Sequence, residues 1–64
     1  MQRELLEKLQ KLTILYAEDE EGIRKNIADS LQYYVQEVFE ASDGKEAYEI
    51  FEEKQPDIIL SDIH

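Results

Sequence analysis

The stretch TILYAEDE, Thr13 to Glu20, decides how this chain is read. Thr13 to Ala17 is a short run of strand formers, too short for a helix and apolar at successive positions. A strand that is apolar on both faces belongs inside a parallel sheet covered on both sides. The run then breaks into Glu18-Asp19-Glu20, so the carboxyl end of a buried strand opens into charge. In open α/β sheets, ligands bind at that end.

Working outward, residues 20–33 place Ile23, Ile27 and Leu31 at helical spacing, with Ala28 and Tyr34 nearby and polar residues elsewhere. That pattern predicts an amphipathic helix with its apolar stripe on the sheet. Residues 35–41 predict a second strand, carried by Val38, Phe39 and Ala41. Residues 43–54 predict a second crossover helix, capped by Ser42 or Asp43 and ended at Gln55-Pro56. Residues 57–62, DIILSD, predict a third strand, apolar through Ile58, Ile59 and Leu60 and closed by Asp62. Residues 2–11 are strong helix formers with Leu5, Leu9 and Leu12 in register, which predicts a short N-terminal helix. The class is α/β: an N-terminal helix followed by β-α-β-α-β, with right-handed crossovers.

The bulk properties narrow the function. With 64 residues the chain holds one domain at most, and with no cysteine it has no disulfide to hold a small core. The net charge of −9 repels phosphate backbones, so direct nucleic-acid binding is not expected. No stretch is apolar enough to span a membrane and no secretory signal opens the chain, which makes the cytoplasm the expected location. An EF-hand fails on its first ligand, because counting back from Gly22 or Gly44 lands on Ala17 or Phe39.

The acidic ends of the first and third strands meet only in one topology. In strand order 2-1-3 those strands are neighbours, roughly 4.8 Å apart, and the acidic run Glu18-Asp19-Glu20 and Asp62 share a crevice. Order 1-2-3 separates them. Three carboxylates in one crevice need compensation, either a raised pKa or a divalent cation. Mg²⁺ takes one or two carboxylates, keeps waters and accepts phosphate oxygens, a chemistry suited to phosphoryl transfer with Asp62 as nucleophile. Acidic residues at strand ends also serve as simple caps. What exceeds that reading is the joint layout of strand, acidic pair, helix, strand, Asp-Gly-opened helix, Pro-Asp, strand and Asp.

Three stretches, TILYAEDEEGIRKNI, ASDGKEAYEIF and PDIILSDI, in this order and spacing, resemble the receiver domains of two-component response regulators. The resemblance implies a flavodoxin-like doubly wound parallel sheet of which residues 13–64 form the β-α-β-α-β half, behind an N-terminal helix at 1–12. It implies Asp62 as phospho-acceptor, and Mg²⁺ held by Glu18, Asp19, Asp62 and the backbone carbonyl of His64. It implies a histidine kinase or a small phosphodonor as partner, and a signalling module, not an enzyme. Glu18 stands where such domains more often have Asp, which moves one carboxylate outward by a methylene.

Receiver domains also carry a Ser or Thr after a fourth strand and a Lys after a fifth. The resembling stretch reaches neither, so the chain is expected to be a truncated receiver, incompetent in isolation. A third strand at the sheet edge leaves Ile58, Ile59 and Leu60 uncovered, at roughly 1.5–3 kcal/mol of lost burial each. An exposed edge of this kind recruits another strand. Self-association through residues 57–62 is therefore expected, in the order 2-1-3-3′-1′-2′, with the N-terminal helix covering an open face. The competing expectation is a self-associating structural fragment with no phosphoryl chemistry.

Overall fold

A computed structural model describes residues 3–63. Its elements run α1 (Arg3–Leu9), β1 (Thr13–Ala17), α2 (Glu21–Leu31), β2 (Glu37–Ala41), α3 (Gly44–Lys54) and β3 (Ile58–Ser61). The three strands form one parallel sheet in the order β2-β1-β3. This is the α/β, flavodoxin-like arrangement expected from the sequence. The expected strand at 13–17 has those bounds, and the second strand begins two residues later than expected, at Glu37.

Register explains the burial. Ile14 and Tyr16 pair with Val38 and Glu40 on one side and with Ile58 and Leu60 on the other. Side chains alternate along a strand, so these residues share one face of the sheet. On that face Ile14, Tyr16 and Val35 form a core cluster, joined by Leu31, Val38 and Ile58. The opposite face packs Leu15, Ala17 and Ala41 against Phe39, Ala47 and Ile50. Helices α2 and α3 thus cover opposite faces, as right-handed crossovers to either side of β1 require.

The contact stripe of α2 differs from the one its spacing predicts. Ile23 and Ile27 stay about two-fifths exposed, while Ala28 is fully buried. Arg24, Ala28 and Leu31 form the inner side. Small Ala28 lets the helix approach the sheet closely, and the polar contacts of Arg24 described below set its rotation.

Helix α3 is capped reciprocally. The Glu46 N–H donates to Asp43 Oδ1 and the Ser42 N–H donates to Glu46 Oε1, both at 2.8 Å. At its other end Gln55 adopts a left-handed conformation (φ 50°), and its side-chain amide donates to the Phe51 and Glu52 carbonyls. The chain then turns into β3, whose start is pinned to β1 by Asp57. Its Oδ2 accepts from the Thr13 N–H at 2.9 Å and from the Thr13 hydroxyl at 3.2 Å. The Asp57 N–H in turn donates to the Thr13 carbonyl at 3.1 Å.

β3 is an edge strand among the described residues. Ile58 is half-buried, but Ile59 is 51% and Leu60 41% exposed, on opposite faces. α1 buries no residue and packs against no other element.

Candidate functional site

The parallel ladder runs past the strand ends and gathers the acidic residues. The Glu18 N–H donates to the Ala41 carbonyl at 3.0 Å, and the Asp62 N–H donates to the Ala17 carbonyl at 2.8 Å. Glu18 therefore leaves β1 beside the end of β2, and Asp62 leaves β3 beside the end of β1. Order 2-1-3 puts both at one edge, as the sequence reading required.

Glu18 is 2% exposed, a buried carboxyl in a small domain. Its Oε2 accepts from the Glu20 N–H at 2.9 Å. Glu20 is the cap residue of α2 and makes no side-chain cap of its own. The longer side chain at position 18 reaches the helix start, where its carboxyl is buried. The Glu18 carboxyl is held above its ordinary pKa. The Glu20 N–H pulls it down, but a hydrogen bond with Asp19, burial, and the charges of Asp19 and Asp62 together outweigh that pull. Asp62 is exposed, with its charge felt by both Glu18 and Tyr16.

Three residues take structural roles around the site that their sequence positions did not announce. Arg24 Nη1 donates to the Glu18 carbonyl at 3.0 Å. Its Nε faces Glu40 Oε1 on β2 at 3.4 Å, an ion pair that Lys25 joins at 3.9 Å. The signal was a lone arginine early in a helix whose start is otherwise acidic. Tyr16 is buried, and its hydroxyl has no hydrogen-bond partner among the described residues. Burial first, then the charges of Glu18 and Asp62, push its phenol up. The signal was one phenol in an aliphatic strand. Asp57, at the opposite end of β3, is a staple of the fold.

The donor set, carboxylate oxygens, suits a hard cation. Mg²⁺ draws on one or two carboxylates plus water and phosphate oxygens, not on an all-protein cage. No group of three or more acidic, histidine or cysteine side chains that could hold a metal ion is found among the described residues. The backbone carbonyl of His64, the further ligand that the resemblance implies, lies outside the described residues.

No helix among the described residues is long and apolar enough to cross a membrane. No curated protein and no solved structure matches the chain. The family described as response regulator receiver domain matches residues 14–64, from the second residue of β1 to beyond Asp62. That match spans most of the chain, both helices that flank the sheet and every acidic residue gathered at its carboxyl edge, so the chain belongs to the response regulator receiver domain family.

Proposed function

We propose that the chain is the phospho-acceptor part of a two-component signalling protein, with Asp62 as the residue phosphorylated. The observation that carries this is the seating of Asp62 at the exit of β3, beside β1, with its charge felt by the buried Glu18. A carboxylate oxygen of Asp62 forms a bond to phosphorus as the donor's bond to phosphorus breaks. The electron pair leaves on the donor, as an imidazole nitrogen of a kinase histidine or as the carboxylate of an acyl phosphate. The product is a mixed anhydride, and the chain acts once per phosphoryl group, as a substrate of transfer and not as an enzyme.

Glu18, Asp19 and Asp62 are the residues that would hold Mg²⁺. When bound, the ion neutralises negative charge on the transferring group. Arg24 fixes the backbone of Glu18, and the Glu20 N–H orients its carboxylate. The net charge of −9 supports a module without direct nucleic-acid contacts, and a cytoplasmic location is part of this proposal. We further propose that β3 pairs with β3 of a second copy, supported by the exposure of Ile59 and Leu60 on opposite faces of this edge.

The expectation of incompetence in isolation rested on a Ser or Thr and a Lys that the resembling stretch does not reach. The nearness of Asp62 to Glu18 supports slow residual phosphorylation even so. Incubation with acetyl phosphate and Mg²⁺ followed by intact-mass spectrometry tests it. A base-labile phosphoryl adduct is expected, and a folded chain that takes none overturns the proposal in favour of a structural, self-associating role.

A further inference from the structure

Tyr16 stands on the central strand with its side chain buried, and its hydroxyl has no hydrogen-bond partner among the described residues. A buried hydroxyl without a partner costs stability, and such a group in a folded chain marks a place for a water, an ion or a ligand. The surroundings of the phenol narrow that choice.

Most of its neighbours offer no acceptor. The cluster on its face of the sheet consists of Ile14, Val35, Leu31, Val38 and Ile58, all aliphatic. Its register partner on β3 is the apolar Leu60. Its register partner on β2 is Glu40, whose carboxylate is drawn to Arg24 at 3.4 Å and to Lys25 at 3.9 Å.

The remaining direction is the acidic edge. The bond from the Asp62 N–H to the Ala17 carbonyl carries the ladder between β1 and β3 one step past Ser61. Glu18 and Asp62 therefore follow Tyr16 and Leu60 as the next pair on the same face. That step along the strand is roughly 6.6 Å, at 3.3 Å per residue. Side chains in strands lean along the strand direction, so a side chain as long as tyrosine spans it. Burial, then the charges of Glu18 and Asp62, push the phenol up, so both carboxylates lie within electrostatic reach of it.

We propose that the Tyr16 hydroxyl is a contact for the phosphoryl group on Asp62, donating a hydrogen bond to one of its oxygens. This rests on the reading of Asp62 as phospho-acceptor. Transfer brings three acceptor oxygens to Asp62, beside a donor that the unmodified chain leaves unpaired. The phenol keeps its proton throughout, and the hydrogen bond forms as negative charge arrives. The unmodified chain thus carries the strain of the orphan hydroxyl, and the phosphorylated chain relieves it. Tyr16→Phe separates the two: it spares the fold and slows the transfer, a split that a merely structural tyrosine does not give.

Intact-mass spectrometry follows the parent chain, Tyr16→Phe and Tyr33→Phe during incubation with acetyl phosphate and Mg²⁺. Tyr33 is 82% exposed and serves as the control. Tyr16→Phe is expected to gain the adduct about tenfold more slowly than the other two, the effect of one hydrogen bond to a charged group, while melting no lower than the parent. Equal rates in all three chains overturn the Tyr16 contact and leave Asp62 standing as phospho-acceptor, whereas no adduct on any folded chain overturns both. The parent chain supplies a second readout that does not depend on how the variant folds. With tyrosine labelled with carbon-13 at Cζ, the signals of the four tyrosines are assigned by replacing Tyr33, Tyr34 and Tyr48 in turn with Phe. The Tyr16 signal is expected to shift with acetyl phosphate and Mg²⁺ together and to stay in place with Mg²⁺ alone. A Tyr16 signal unmoved by the adduct overturns the contact, and a full shift with Mg²⁺ alone overturns it in favour of a metal-bound water.

Discussion

Arg24 ties the backbone of Glu18 to β2: its Nη1 donates to the Glu18 carbonyl at 3.0 Å while its Nε faces Glu40 at 3.4 Å. One side chain thus sets the rotation of α2 and the position of the residue that begins the acidic pair. The guanidinium fork makes both contacts at once, which a lysine ammonium on a flexible stem does not reproduce. Arg24→Lys is therefore expected to destabilise the fold by about 1 kcal/mol or more, as hydrogen bonds to charged groups cost when broken. A double-mutant cycle with Glu40→Gln, read by urea unfolding, is expected to show coupling on the order of 1 kcal/mol. Additive effects would show that Arg24 and Glu40 act separately.

The pH dependence follows from Glu18. Its folded pKa is raised, so the folded state favours the protonated form more than the unfolded state does. The stability this contributes is present below the ordinary carboxylate range and is lost as pH rises through the raised folded pKa. Glu18→Gln keeps a neutral side chain of the same shape at every pH. The variant is expected to melt higher than the parent chain at neutral pH and to converge with it in acid, read by circular dichroism. A parent chain whose Glu18-dependent stability grows with pH would contradict this account of the site.

At the proposed site, Mg²⁺ would compete with protonation of the Glu18 carboxyl, whose pKa is raised. Its affinity is expected to weaken as pH falls, and its binding to release a proton, because carboxylate ligands must be deprotonated. Calorimetry in two buffers of different ionisation enthalpy measures the proton count. Binding heats independent of the buffer would place the ion elsewhere.

Much of this was legible in the sequence because it is local. TILYA and IIL announce parallel strands through composition alone, though only the first is buried, and the N-cap expected at Ser42 or Asp43 is supplied by Asp43. The site was legible at one remove, since carboxylates at two strand exits converge only if the strands are neighbours. The illegible parts are contacts between distant residues and the rotation of a helix. Nothing in the run from Ile23 to Leu31 shows that Ile23 and Ile27 sit on the flank, because Arg24 is anchored by Glu18 and by Glu40 on another strand. Nothing near Asp57 shows that it clasps Thr13, 44 residues earlier.

Tyr16 offers a separate test of the site's economy. Its hydroxyl is buried without a hydrogen-bond partner among the described residues, and an unmet buried polar group costs about 1–3 kcal/mol. Tyr16→Phe removes that group while keeping the ring that packs with Ile14 and Val35. The variant is expected to be as stable as the parent chain or more so in thermal denaturation. A clear loss of stability would reveal a partner for the phenol at the acidic edge.

Asp57 and Asp62 flank β3 at its two ends. Asp57 clasps Thr13 at the amino end, and Asp62 stands by Glu18 at the carboxyl end. The most direct measurement is intact-mass spectrometry of the parent chain, Asp57→Asn and Asp62→Asn after incubation with Mg²⁺ and acetyl phosphate. A base-labile phosphoryl adduct is expected on the parent chain and on Asp57→Asn, and none on Asp62→Asn. An adduct that survives in Asp62→Asn, or its absence from all three folded chains, would contradict the assignment of Asp62 as the phospho-acceptor.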